Sequence, residues 1–383
     1  MNLTNPNRIA LLGCLLAISS LLWLPFLELK ANRLIAGQGY SLLELGAAGW
    51  WLLGVVFLAA FSAFLKPRFR GFALAILANL VLIAGVILIG ADASKLLGSS
   101  TLARVSLAPS AWLMLVSSSF LIFAALNDLE NIWLKRLTSS VGILVFLILL
   151  LTGGLGSLSV IREYQTRMDT FWLELGRHLG LAFLALITSS LFGIPLGFWA
   201  ARSKRFEGFI LGFSGLLQTI PSLALLALLI TPFSALVRTF PILETVGIRG
   251  IGFAPAITAL TVYGLLPIAR GVLNGLKAVP ETALEAGRGM GMTARQLFVG
   301  VELPLALGLI LNGIRTSAVQ LVGLSTLSSL IGAGGLGVFI FGGLGSAAND
   351  LVLLGAIPVL VLAVLTDAGF RTLEQASIPR GLR

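Results

Sequence analysis

Six stretches of this chain, 71–91, 105–127, 137–161, 178–201, 208–237 and 250–269, contain no Asp, Glu, Lys or Arg. Each runs to about 20 residues or more, the length a helix needs to cross a hydrocarbon layer roughly 30 Å thick. Composition agrees: 11% of the 383 residues are charged and 57% are hydrophobic, against about 25% charged in soluble domains. The expectation is an all-α, polytopic integral membrane protein of about ten transmembrane helices. They fall near 9–27, 43–65, 71–91, 108–127, 138–160, 178–200, 208–230, 252–272, 303–325 and 349–370.

The formal net charge is +10, which could suggest a nucleic-acid partner. Its distribution argues against one. When the gaps between spans are assigned to alternate sides, 16 of the 26 Lys and Arg fall on the side holding both termini and residues 281–304. Nine fall on the other side, and Arg315 lies within a span. The short loops 66–70 and 202–205 are the clearest, with Lys66, Arg68 and Arg70 in one and Arg202, Lys204 and Arg205 in the other. The positive-inside rule then places both termini and 281–304 in the cytoplasm. The first apolar run is longer than a signal-peptide core, and Glu28-Leu29-Lys30 stands where a cleavage site would lie, so it reads as a retained span. Cys14 is the sole cysteine, which excludes an intrachain disulfide.

Residues 161–177 are polar, with Phe171, Leu175 and Leu179 at helical spacing. They read as an amphipathic connector at the outer face. Residues 1–160 before it form an N-terminal membrane domain of about five plain spans. Residues 178–371 carry proline, glycine and hydroxyl groups within their spans, and 372–383 form a tail. Irregular backbone at membrane depth survives only against protein or a watery cavity, so the second half reads as the working part. Within it, Gln218-Thr219-Ile220-Pro221-Ser222 predicts a break. Two readings stand: a kink packed on neighbouring helices, or a kink lining a conduction path. Residues 316–349 are uncharged and too long for one span; Gly332, Gly334, Gly335 and Gly337 predict that the helix ends near Leu327 and gives way to a compact or re-entrant turn. Gly332 to Gly337 matches the dinucleotide fingerprint in form only, because no strand–helix–strand unit surrounds it.

The segment 281–304 is polar and glycine-marked. As a helix it would place Ala283, Gly287, Met290, Ala294, Leu297 and Val301 on one small, apolar face. Glu281, Glu285, Arg288 and Arg295 would lie opposite. Pro280 suits a first helical position, and Glu281 the positive end of the helix dipole. Gly287, Gly289 and Gly291 weaken a continuous helix, and Thr293 with Gln296 could form a capping box. The expectation is helix, turn, helix, with the break near Gly291. A helix lying on the membrane surface is the alternative.

The spacing of Glu285-Ala286-Gly287, Gly291, Val301 and Leu303-Pro304 resembles the signature of bacterial ABC-importer permeases, with Gly287 and Val301 replacing Ala and Ile. Gln218 to Leu226, Tyr263 to Gly271, Gly289 to Thr293 and Leu330 to Gly337 are similar to the glycine betaine/choline (osmoprotectant) branch, so that the resemblance spans about 178–371. The first 160 residues and Asn32-Arg33-Leu34 resemble the long form, in which extra spans precede a five-helix type I permease core.

The resemblance implies a subunit of the bacterial inner membrane that is not an enzyme. It would work with cytoplasmic ABC ATPases, a second permease (the same chain or a paralogue) and an extracytoplasmic substrate-binding protein. ATP and Mg would belong to the ATPase, with no cofactor or metal bound here. This chain contains no phosphate-binding loop of the type G-x-x-x-x-G-K-[ST]. ATPase contact would fall to Glu281, Glu285, Ala286, Gly287, Arg288, Gly291, Leu303 and Pro304. Candidate path or gate residues are Gln218, Thr219, Pro221, Ser222, Tyr263, Arg315, Gln320, Gly332, Gly334 and Gly335. Arg315 stands about 16 Å along a helix from Pro304, which is a functional position or a cap on kinked backbone. Tyr263 could offer a cation–π face or simple packing. His178 reads as interfacial, and Asp367 and Arg371 as a pair. Competing functions are an ABC permease for another small solute such as an amino acid, an ion-coupled carrier, or a membrane enzyme. The latter two lack paired acidic groups within spans and a catalytic constellation.

Overall fold

The computed structural model describes residues 6–32, 35–98, 100, 102–245 and 247–377. Arg33, Leu34, the side chain of Gln218 and residues 378–383 of the expected tail lie outside the described residues. Two compact units divide at Thr166 and Arg167. Among the described residues, eight helices are long and apolar enough to cross a membrane, and two further apolar helices have 16 residues each.

The first unit contains α1 (Arg8–Trp23), strands β1 (Leu27–Lys30) and β2 (Gln38–Tyr40), α2 (Leu42–Leu45), α3 (Ala47–Ser62) and α4 (Pro67–Leu97). β3 (Arg104–Leu107), α5 (Pro109–Asp128), α6 (Ile132–Leu151) and α7 (Ser159–Thr166) follow. A β2–β1–β3 antiparallel sheet, with Leu27 opposite both Tyr40 and Leu107, joins the loops at one end of the bundle. At the other end, the buried Arg70 forks onto Asp128 with bonds of 2.6 and 2.9 Å, and Asn7 Nδ2 donates to the same carboxylate at 3.3 Å. β1, β2 and β3 therefore lie at one end of the bundle and loops 63–66 and 129–131 at the other, as up-and-down threading requires. The sheet is an addition to the helical expectation. α6 begins six residues before the expected 138, because Asn131 caps it by accepting from Trp133 N at 2.8 Å.

The second unit contains α8 (Met168–Arg202), α9 (Lys204–Thr219), α10 (Ser222–Thr239), α11 (Ile242–Thr245) and α12 (Phe253–Lys277). Next come α13 (Glu281–Gly289), α14 (Ala294–Leu297), a π-turn (Phe298–Glu302), α15 (Leu303–Leu324), a 3-10 turn (Ser325–Ile331), α16 (Gly337–Gly345) and α17 (Asn349–Ser377). The expected connector at 161–177 is replaced by α7 and the first turns of α8: Arg167 breaks the helix, and 168–177 prolong the next span. The expected span 208–230 is divided at Ile220-Pro221, both extended. α12 continues five residues past the expected 272, so that Arg270 stands seven residues before the helix end at Lys277.

α8, α12 and α15 form the centre of this unit, and small residues let them approach. A Cβ built on Gly271 would lie 2.7 Å from Gly313 Cα, and one on Gly197 would lie 2.5 Å from Ala269 O. Hydroxyls finish the contact: Ser189 donates to Thr261 O at 3.0 Å, and Ser317 to Gly264 O at 3.1 Å. Between helices such bonds hold polar atoms that lipid could not satisfy.

Candidate functional site

Residues 281–302 leave α12 and return to α15 as a hairpin. Pro280 is the N-cap of α13, one residue before the expected position. The helix ends at Gly289, and Gly291 turns the chain with φ +79°, a left-handed conformation open to glycine at little cost. Thr293 then caps α14 reciprocally: its hydroxyl accepts from Gln296 N at 3.4 Å, and the Gln296 side chain accepts from Thr293 N at 2.8 Å.

The turn rearranges the stripe expected of a single helix. Gly287 and Leu297 are buried against each other, and a Cβ on Gly287 would lie 2.5 Å from Leu297 Cδ1. Met290 and Ala294 are exposed instead. Gly287 therefore closes the hairpin from within and does not present its small surface outward. Glu285 and Ala286 remain exposed, while Glu281 and Arg288 pair at 2.8 Å. Met290, Gly291, Arg295, Gln296 and Val299 line an open groove of about 680 Å³ beside the turn.

At the base of the hairpin, Leu303 and Pro304 open α15 directly after the π-turn. Here the structure adds two residues that spacing did not single out. The buried Glu302 carboxylate accepts from Arg202, the last residue of α8, through a short bond and a second of 3.5 Å. The guanidinium also lies 5.1 Å from the centre of the Phe198 ring, which meets Phe298 edge-on at 5.6 Å. On the neighbouring strut, Lys277 reaches Glu207 of α9 at 2.6 Å. The hairpin is thus tied to α8 as well as to its own flanking helices. The signal in the sequence is a charged residue, Glu302, directly before Leu303-Pro304 at the head of an apolar span.

The candidate path residues do not form one cluster. Tyr263 is buried, and its hydroxyl donates to Ile220 O, the carbonyl at the α9–α10 break. The tyrosine caps that break and offers no open ring to a cation. Thr219 donates to its own helix at Leu216 O, 2.7 Å, and Pro221 and Ser222 start α10. Arg315 does not cap kinked carbonyls. It meets two carboxylates of α17, Asp367 at 3.5 Å and Glu374 at 3.0 Å, and Asp367 also pairs with Arg371 at 2.8 Å as the four-residue spacing predicts. Gln320 is half-buried on α15, one turn from Thr316.

Gly332, Gly334 and Gly335 all have left-handed φ, between +80° and +94°. They turn the chain from the 3-10 segment, which starts at Ser325, into α16. Gly335 N–H donates to the buried Glu174 carboxylate at 2.6 Å, and Arg177 holds its other oxygen at 2.6 Å. His178, expected at the interface, is fully buried under Gly335. Close backbone approach explains why: a Cβ on Gly334 would lie 2.7 Å from Glu174 Oε2.

With eight long apolar helices and this hairpin in place, the class is a multi-pass membrane transport subunit. Residues 193–378 match the model of the binding-protein-dependent transport system inner membrane component, and residues 6–161 match that of the ABC transporter permease YehY, N-terminal domain. The chain is 39% identical over 225 residues to the carnitine transport permease protein OpuCB of Listeria monocytogenes, covering 59% of this chain and 96% of that one. It is 38% identical to the glycine betaine/carnitine/choline transport system permease protein OpuCB of Bacillus subtilis, covering 57% and 94%. The osmoprotectant import permease protein OsmW of Salmonella typhimurium is 38% identical, covering 54% and 91%. A solved chain of the inward-facing MetNI methionine ABC transporter aligns at 26% identity and TM-score 0.48, covering 56% of this chain and 99% of that one. The chain belongs to the binding-protein-dependent ABC transporter permeases. It is a transport subunit and not an enzyme, and its family relies on a partner ATPase.

Proposed function

We propose that this chain is the permease of an ATP-driven importer for glycine betaine or a related osmoprotectant. Residues 281–302 would receive the motion of a cytoplasmic ABC ATPase, and the spans would turn it into alternating access. The observation carrying the coupling role is the hairpin: it exposes Glu285 and Ala286, while Glu302 and Arg202 join its base to α8. A push on the exposed turn reaches three spanning helices, α8, α12 and α15. The solute class rests on the printed functions of the osmoprotectant relatives. A second permease, two ATPases and an extracytoplasmic binding protein complete the assembly, with both termini and the hairpin in the cytoplasm. The N-terminal domain, 1–160, and the transport core, 178–371, are separate working parts in this reading.

The test is reconstitution with the ATPase and binding protein in liposomes, measuring glycine betaine uptake and ATP hydrolysis together. Wild-type complex should accumulate the solute with binding-protein-stimulated hydrolysis. Gly291→Asp should hydrolyse without uptake; normal uptake by that variant would overturn the coupling role.

A further inference from the structure

We infer that the groove between α12 and α15 is a binding subsite for the carboxylate of a zwitterionic solute, with Arg270 as its cationic partner. This inference rests on the importer reading above and goes beyond it to a place and a chemistry. The groove has a volume of about 270 Å³ and is lined by Pro267, Arg270, Asn274, Leu309, Asn312 and Thr316, with Gly271 and Gly313 at its floor. That is just below the roughly 300–1,000 Å³ of drug-sized ligand pockets and so of a scale for a small solute.

Three observations point to an anion. Arg270 lies seven residues before Lys277 in one helix, about 10 Å further into the span. A cation at such depth is costly unless it meets a counter-charge or water. Among the described residues, however, no carboxylate lies within ion-pairing distance of this exposed side chain, whereas Arg315 of the facing helix α15 meets two. The lining also carries two side-chain amides able to donate, those of Asn274 and Asn312. Arg270 and Asn274 are one turn apart on α12, and Asn312 and Thr316 are one turn apart on α15, so both pairs project into the same space. Thr316 uses its hydroxyl hydrogen on Asn312 O at 2.9 Å, so the neutral donors left on the lining are the side-chain amides of Asn274 and Asn312. The lining contains no acidic side chain.

The close contact of Gly271 with Gly313 sets the depth. Side chains there would push the helices apart and fill the floor, because a Cβ on Gly313 would lie 2.7 Å from Pro267 O. A betaine has a carboxylate that takes charge-assisted hydrogen bonds and a methylated ammonium that donates none. Arg270 with the two amides answers the first, and the aliphatic wall of Leu266 and Leu309 accommodates the second. Choline has the ammonium without the carboxylate and separates the two contributions.

The test uses the full complex of permease, ATPase and binding protein in liposomes. Arg270→Gln should reduce glycine betaine uptake about tenfold or more, as expected for a lost charge-assisted hydrogen bond. Choline uptake should change little, and Arg270→Lys should restore betaine uptake in part. Independently, Asn312→Cys in a Cys14→Ser background should react faster with an anionic than with a trimethylammonium methanethiosulfonate. That preference should vanish in Arg270→Gln; Thr316→Cys serves if Asn312→Cys is not assembled. Absence of labelling at both positions, equal rates whatever stands at 270, or an equal fall in uptake of both solutes would overturn the inference. Wild-type complex that imports neither solute, yet keeps the Arg270-dependent preference, would overturn the osmoprotectant reading and leave the anion subsite standing.

Discussion

The Arg202 guanidinium and the Glu302 carboxylate, 100 residues apart in the chain, meet where α8 and the π-turn both end. Glu302 is buried and Arg202 is half exposed. Removing the arginine therefore strands a buried carboxylate, which is worse than removing both charges. Arg202→Ala should lower the thermal midpoint of the purified permease and reduce uptake per ATP hydrolysed. The double change Arg202→Met with Glu302→Leu should recover the midpoint but not the coupling ratio. Unfolding curves and the uptake-to-hydrolysis ratio check this, and a double variant less stable than Arg202→Ala would count against it.

Gly287 and Gly291 make different demands on the hairpin. At Gly287 a side chain meets Leu297, whereas at Gly291 space is open and the left-handed φ is the obstacle. Gly287→Ala should be rescued by Leu297→Ala, which clears the way. Gly291→Ala should cost about 1–2 kcal/mol of local strain and have no such suppressor, while Gly291→Asn should be milder because asparagine tolerates that conformation. Co-purification of the ATPase with each variant reads the outcome.

Tyr263→Phe separates a cap from a cation site. Its hydroxyl is the partner of Ile220 O at the α9–α10 break. Losing a hydrogen-bond partner in a buried setting costs about 1–3 kcal/mol. The variant should be less stable, with its solute concentration dependence unchanged. A large shift in that dependence at unaltered stability would favour the cation–π reading.

Glu174→Gln and Glu174→Ala should differ at the glycine turn. Glutamine keeps an acceptor for Gly335 N–H, and alanine does not. Hydrogen exchange of the peptide covering 332–337 should accelerate at least about tenfold in Glu174→Ala, the factor for roughly 1.4 kcal/mol of lost protection. It should change much less in Glu174→Gln. Equal exchange in the two variants would show that the carboxylate does not hold the turn.

What the sequence disclosed follows the range of the interactions. Spans, the break at Pro221, the turn at Gly291 and the Thr293–Gln296 cap depend on neighbours within a few residues, and the expectations matched the structure. The three-stranded sheet did not show, because strands of three and four residues offer too few alternations to set a period. The buried places of His178 and Gly287 did not show either, since each is set by a partner brought in by folding. Arg270 falls two residues before the end of the expected span 252–272, where a basic residue reads as an ordinary cytoplasmic-end charge. The helix continues to Lys277, and the absence of a carboxylate partner among the described residues shows only with α15 beside it.

The π-turn at Phe298–Glu302 makes the hairpin's aim depend on a count of residues. In a regular helix each residue advances the direction by about 100°, and a π-turn absorbs a residue without restarting the helix. Loss of a single codon within this stretch could therefore yield an unbroken helix in which every downstream side chain is intact and Glu285 points a quarter-turn away from its present bearing. The bearing of the hairpin on the membrane helices is thus set by a single residue within one helical turn, the same turn that holds Phe298 against Phe198 and Glu302 against Arg202.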